Sequence, residues 1–211
     1  MTKSKTSWLA ASALTIGALS MSFTAFARSS DSYKTTINTP IEMGQSVKIN
    51  VVLSDELAYR ANNLSPKLSD RNGVRSLNDG FAGRGKYGEK SLSRLTDRLE
   101  KKITKELTKD GITVSDSAPY TLNLVVADAD STRPTFEQLS SSSGLSFQSY
   151  GLGGASLEGT LLSGDQEIGS MSYAWYESNI RDSAYGSTWS DAYRAIDRFA
   201  RKTADTVSGD S

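Results

Sequence analysis

The chain has no cysteine and no histidine in 211 residues. Without cysteine the fold stands with no disulfide, and no thiolate is available as nucleophile, metal ligand or lipid attachment point. Without histidine the chain lacks the commonest general base and the commonest metal ligand. The two absences together exclude Cys/His zinc sites and both Ser-His-Asp and Cys-His catalysis. A net charge is also missing: 24 Lys and Arg balance 24 Asp and Glu, so nothing in the total points to nucleic acid as a partner. No cofactor is expected from this inventory.

A long hydrophobic run is lacking as well. Lys3 and Lys5 open the chain, and Trp8 to Leu19 follows as an uncharged run of apolar and small residues. A spanning helix needs about 20 strongly apolar residues, which this stretch does not supply. Ala25-Phe26-Ala27 places small residues where a signal peptidase reads them. Residues 1–27 are therefore expected to be a signal peptide cleaved before Arg28, with no transmembrane segment in the mature chain. The expected location is the periplasm, with secretion or outer-membrane association as alternatives. The remaining length suits one domain with a real core. Residues 28–45 are expected to form a flexible N-terminal segment and residues 46–208 a single domain.

Ser46 to Ser54 alternates at Val47, Ile49 and Val51 and then turns continuously apolar. This predicts a strand with one face buried and its end buried on both. Asp55 to Ala61 is expected to make a helical turn. Residues 62–88 are the least regular part, with Leu77 and Phe81 as expected anchors of a surface excursion. Inside them, Gly83-Arg84-Gly85-Lys86-Tyr87-Gly88 matches the glycine spacing of a phosphate-cradling turn. That motif needs a strand directly before it, and 76–82 make a poor strand. The expectation is a flexible loop entering a helix.

Glu89 to Lys109 is the clearest helix. Leu92, Leu95, Leu99, Ile103 and Leu107 step by three and four into one stripe, charges fill the other faces, and Gly111 stops it. In Tyr120 to Ala127, Leu122, Leu124 and Val126 face one way and Val125 and Ala127 the other, which predicts a central strand buried on both faces. Asp128, Asp130 and Glu137 flank an Arg133-Pro134 bend; solvated loop acids are expected there, since a full calcium loop is absent. Leu139 to Gly154 is Ser- and Gly-rich, with Leu145, Phe147, Tyr150 and Leu152 interleaved. Ala155 to Ser163 and Glu167 to Glu177 read as an antiparallel hairpin with Ser163-Gly164-Asp165 as the turn. Trp189 to Val207 is the second good helix, with Ser190 and Asp191 at its start.

Arg133-Pro134-Thr135 after an apolar strand, Gly153-Gly154-Ala155-Ser156-Leu157-Glu158, a hairpin, and Trp189-Ser190-Asp191-Ala192 opening a terminal helix form one series of landmarks. In this series the chain resembles the bacterial envelope proteins grouped as domain of unknown function number 3313, over about the last two-thirds of the mature chain. The resemblance implies an exported envelope protein, commonly a lipoprotein in that group. The lipidated cysteine is absent here. No catalytic residue follows from the resemblance.

Charge is segregated along the chain. Residues 60–109 hold 13 basic and 6 acidic residues, whereas 110–191 hold 2 basic and 11 acidic. Either the basic helix packs over an acidic sheet edge, or a positive face awaits an anionic envelope partner.

The expected fold is a single α/β (α+β) domain: a small mixed or antiparallel sheet with two main helices packed on one face. The leading functional expectation is a non-catalytic exported protein that binds an envelope protein or an anionic envelope component. Candidate partner-binding residues are Leu145, Phe147, Tyr150, Leu152, Arg84 and Lys86. The alternatives are a carboxylate-dependent hydrolase of envelope glycan using Asp128, Asp130, Glu137 or Glu158, and a structural or secreted accessory protein. The oligomeric state is left open. N-terminal sequencing of the exported protein is expected to begin at Arg28; recovery of an intact Met1 end from the envelope fraction would overturn the leader assignment.

Overall fold

The computed structural model describes residues 32–37, 39–64, 85–183 and 186–209. The leader expected in 1–27, the anchors Leu77 and Phe81, and the candidate Arg84 lie outside them. Strand β1 is Ser32–Thr35 and β2 is Ser46–Leu53; helix α1 is Asp55–Tyr59 and α2 is Glu89–Lys109. Then come β3 (Thr113–Val114), β4 (Tyr120–Asp130), α3 (Phe136–Ser141), β5 (Gly154–Ser163), β6 (Gln166–Tyr176), α4 (Ile180–Ser183) and α5 (Ser190–Ser208). The strands form one six-stranded sheet in the order β1-β6-β5-β4-β2-β3.

The sheet is mixed. β2 and β4 are parallel and are joined by the crossover through α1 and α2, because parallel neighbours need a long connection. β5 and β6 continue antiparallel from β4. The hairpin expected from the sequence is present, but its turn is tighter than the expected Ser163-Gly164-Asp165: Ser163 pairs with Gln166, which leaves Gly164-Asp165 as a two-residue turn. Segment 28–45, expected to be loosely held, contributes β1, which pairs antiparallel along β6. Ile41 is fully buried beyond it, and its N–H donates to the Val207 carbonyl at 2.7 Å.

Both long helices lie on one face of the sheet, as expected. The α2 stripe of Leu92, Leu95, Leu99, Ile103 and Leu107 is buried, and so are Ala192, Ile196, Phe199, Ala200, Ala204 and Val207 of α5. They meet Leu122, Leu124 and Val126 of β4, and Leu157 and Leu161 of β5, in a single core. Side chains alternate across a strand, so these residues share one face. The α2–α5 seam closes with a fork from Arg98 Nε and Nη2 to the two Asp197 oxygens at 2.9 and 2.6 Å.

Among the described residues no helix lies over the other face. This corrects the expected two-sided burial of β4 and of the end of β2: Val125 and Ala127 are half-buried and Val52 is exposed. The reason lies in the neighbouring row of the same face. Asn50, Asn123, Thr160 and Ser170 stand on this face, and the Asn50 amide donates to the Asn123 side-chain oxygen at 2.9 Å. A face of amides and hydroxyls loses little by meeting water. Among the described residues no helix is long and apolar enough to cross a membrane.

Removing buried methylenes from the α2 stripe leaves a cavity between helix and sheet. Leu99→Ala is expected to cost about 2–5 kcal/mol in urea unfolding, whereas Val52→Ser on the open face is expected to shift stability by roughly 0.5 kcal/mol or less.

Candidate functional site

The carboxyl ends of β2 and β4, the start of β5, the end of β6 and the N-termini of α2 and α5 all converge at one end of the sheet. There the chain makes its longest connections, and there it buries most of its polar side chains. Asp191, one residue inside α5, has no exposed surface. Its Oδ2 accepts from Thr132 Oγ1 and Ser183 Oγ at 3.0 Å each and from the Gly153 N–H at 3.3 Å. Its Oδ1 meets Arg194 Nη1 at 3.3 Å, and the same nitrogen lies 3.4 Å from Glu177 Oε2. Thr132 Oγ1 in turn accepts from the Asp191 N–H at 3.0 Å. One carboxylate thus holds together the loop after β4, the entry to β5, α4 and α5. Ser190 and Asp191 stand at the start of α5 as expected; Trp189 is the N-cap, and the Asp191 carboxylate serves the loops.

The loop after β4 is more ordered than its Ser/Gly content suggests. Thr135 and Gln138 form a reciprocal capping box that starts α3, a helix the sequence reading did not assign. The signal Thr-x-x-Gln was present at 135–138. Arg133 spreads its guanidinium over two backbone carbonyls, with Nε donating to Gly186 and Nη1 to Phe147 at 3.2 Å. Gly151 N–H donates to the Thr132 carbonyl at 2.9 Å. A β-carbon at Gly153 would press on Thr132 Oγ1 and the Asp130 carbonyl, so glycine is what lets the chain reach Asp191 here.

Tyr87 and Trp189 meet edge to face beneath this loop, with centroids 5.2 Å apart and planes at 76°. The Tyr87 hydroxyl donates to the Ala129 carbonyl and accepts from Arg60 Nη1, both at 3.1 Å. Arg60 also covers the ring at 4.0 Å from its centroid. Burial, reinforced by Asp130 and Asp128 and opposed by Arg60, pushes the Tyr87 hydroxyl far above the ordinary tyrosine range. It is therefore a neutral structural donor, not an acid–base group at neutral pH.

Of the glycine pattern at 83–88, Gly83 lies outside the described residues, and Gly85 and Gly88 precede α2. Gly88 is its N-cap at φ 82°, with no side-chain cap of its own. The carboxylate of Glu137, from the first turn of α3, lies against Gly88, where any β-carbon would overlap it. An internal anion thus occupies the positive end of α2. The candidate acids are dispersed. Glu137 is committed to α2, Asp130 is buried, and Asp128 accepts from Tyr176 Oη at 3.0 Å on the open sheet face. Glu158 stands on that face one row further along, opposite Val125. Among the described residues no group of three or more acids could hold a metal ion.

Several large apolar side chains at this end face solvent. Phe147 is 78% exposed and Phe136 73%, with Tyr150 and Ile180 at 45% each. Tyr59 and Leu64, after β2, are exposed at the same end. Of the candidates named from the sequence, Phe147 and Tyr150 point outward, while Leu145 and Leu152 are half-buried. Lys86 is exposed, and its carbonyl accepts from Thr135 Oγ1 at 3.5 Å, which brings it to the base of the same loop.

No family model and no curated protein matches the chain. Among solved structures, the PelC dodecamer from Paraburkholderia phytofirmans aligns with a TM-score of 0.42 at 9% identity, covering 81% of this chain and 96% of that one. A Xanthomonas campestris protein of the family DUF330 gives 0.43 at 14% identity, covering 83% and 90%. A minor lipoprotein from Acinetobacter baumannii gives 0.35 at 11% identity, covering 79% and 94%. Similarity at this level transfers no role, and the functional reading rests on the chain's own residues.

Gly88→Ala is expected to destabilise the protein by roughly 1–3 kcal/mol, because it combines a glycine-only backbone conformation with a clash against Glu137. In a double-mutant cycle, Glu137→Ala is expected to recover the steric part but not the backbone part. Strictly additive losses would show that the Glu137 carboxylate does not sit where this geometry puts it.

Proposed function

We propose that this is a non-catalytic, exported cell-envelope protein that binds a partner through the loop end of its sheet. The observation that carries the reading is a contradiction in that loop. Its backbone is fixed from within by Asp191, Arg133 and the Thr135–Gln138 box, yet Phe136, Phe147 and Tyr150 face water. Aromatic side chains held out by a rigid frame lose little conformational freedom on binding, and they are the residue types that dominate protein contacts. A loop that merely covered the core would turn those rings inward. A partner protein of the envelope is the occupant that exposed rings of this kind fit best.

The leader-like start, Lys3 to Ala27, supports export, and periplasmic residence is part of the proposal. So is the resemblance to domain of unknown function number 3313. Its landmarks Arg133, Gly153 and Asp191 are the residues that build the loop frame. The hydrolase alternative asks for two carboxyl groups facing one cleft, about 5–9.5 Å apart. Glu137 and Asp130 are engaged elsewhere, which leaves Asp128 and Glu158 in offset rows on the open face of the sheet.

The test is crosslinking and affinity capture from envelope fractions at low and moderate salt. The parent protein is expected to retain a defined partner at both. The Phe147→Ser, Tyr150→Ser double variant is expected to lose it by at least tenfold while keeping the parent's thermal midpoint, since both rings are solvent-facing. Capture of nothing by the parent, or equal capture by the variant, would remove the loop as the binding surface.

A further inference from the structure

The outer surface of the helical layer is a second candidate surface, and no feature of the loop end accounts for it. Lys90, Arg94, Lys101, Lys105 and Lys109 are all exposed on α2, and none makes an ion pair among the described residues. Their spacings of four and seven residues align Lys90, Arg94, Lys101 and Lys105 on one meridian opposite the leucine stripe, with Lys109 at its edge. The row runs roughly 28 Å at the helical rise. Arg201 is exposed on the neighbouring α5.

The remaining basic side chains of the two helices are tied elsewhere. Arg98 and Lys102 lie within ion-pair reach of Asp197, and Arg194 is paired with Asp191 and Glu177. Arg198 covers Trp175 and Lys202 lies over Tyr33. Exposed acids on the layer are Glu89, Asp97 and Glu100. The expected pairing of a basic helix with an acidic sheet edge is thus not what the structure shows. The α2 ion pairs go to α5 and to Glu106 of α2 itself, and the row at the outer meridian is left facing water.

We propose that this outer face of α2 and α5 docks on a flat anionic lipid surface. Three features select that occupant. The cations form a long row on a convex helix rather than converging, so they suit many separate anionic groups in a plane and not one small ligand. Neither helix exposes a large apolar side chain, so the contact lies at the headgroups without insertion. Lysine, a point charge on a flexible stem, supplies four of the five α2 cations; such residues gain from a diffuse negative surface without needing fixed partners. This surface is independent of the loop end, so either reading can fail without the other.

The test is sedimentation of the exported protein, residues 28–211, with vesicles of phosphatidylcholine alone or mixed with phosphatidylglycerol. The protein is expected to sediment with the anionic vesicles at low salt, to ignore the neutral ones, and to be released as salt rises. Neutralising three cations (Arg94→Gln, Lys101→Gln and Lys105→Gln) is expected to lower partitioning roughly a hundredfold, and each single change roughly fivefold. Matched circular dichroism and melting curves check that the variants are folded, and the single changes keep the test open should the triple variant not fold. The Phe147→Ser, Tyr150→Ser variant is expected to bind vesicles as the parent does. Absence of binding to anionic vesicles at low salt, equal binding to neutral ones, parent-like partitioning of the variants, or capture by soluble dextran sulfate in preference to vesicles would each overturn the proposal.

Discussion

A carboxylate with no exposed surface must find its donors inside the protein, and that requirement on Asp191 shapes the loop end of the molecule. An unpaired buried charge costs several kcal/mol, so the segments around it are held to positions that supply hydrogens. Thr132, Ser183 and the Gly153 N–H supply them, and Arg194 supplies the counter-charge. Thr132 and Gly153 lie far from Asp191 in sequence, whereas Ser183 and Arg194 come from α4 and from α5 itself. Their meeting at one oxygen pair fixes how the loop after β4 leaves the sheet and where β5 begins. A hydrophobic residue at 191 would relieve the desolvation cost, but it would give the loops no common point of attachment.

The core follows from simpler constraints, and these were readable. A leucine every three or four residues between Glu89 and Lys109 can bury itself only as one face of a helix, and it does. Gly164-Asp165 between two alternating segments closes the hairpin. Apolar character alone does not determine burial. Val52 and Val125 are apolar, yet their row continues to Glu158 and Ser172, beside the row of Asn50, Asn123, Thr160 and Ser170 on the same face, which no helix among the described residues covers. The row, not the single residue, decides whether a face is wet. Rows become visible only once the register of the strands is known.

The loop end was less legible because its order comes from contacts between distant residues. Four serines in succession and paired glycines have the composition of a flexible connector. Nothing local announces that Arg133 will hold the carbonyls of Gly186 and Phe147, or that Asp191 will hold Gly153. Only the Thr135–Gln138 box was a local signal, and it marks a six-residue helix that is easily passed over. The chain in 32–35, Ser-Tyr-Lys-Thr, likewise carries too little pattern to declare a strand, and the edge of β6 makes it one.

The glycine-rich turn before α2 shows how one local pattern supports two outcomes. A helix N-terminus behind glycines is favourable for an anion whatever the anion's source. In a nucleotide-binding protein the source is the ligand. Here it is Glu137, carried by a short helix whose own start is set by Thr135 and Gln138 and whose base is held by Arg133. The glycine at 88 is needed in either case, because the anion must come close to the backbone. A motif scan sees the glycines and cannot see which anion arrives. What decides it is the polar frame centred on Asp191, which brings α3 across the end of α2 and fills the place from within.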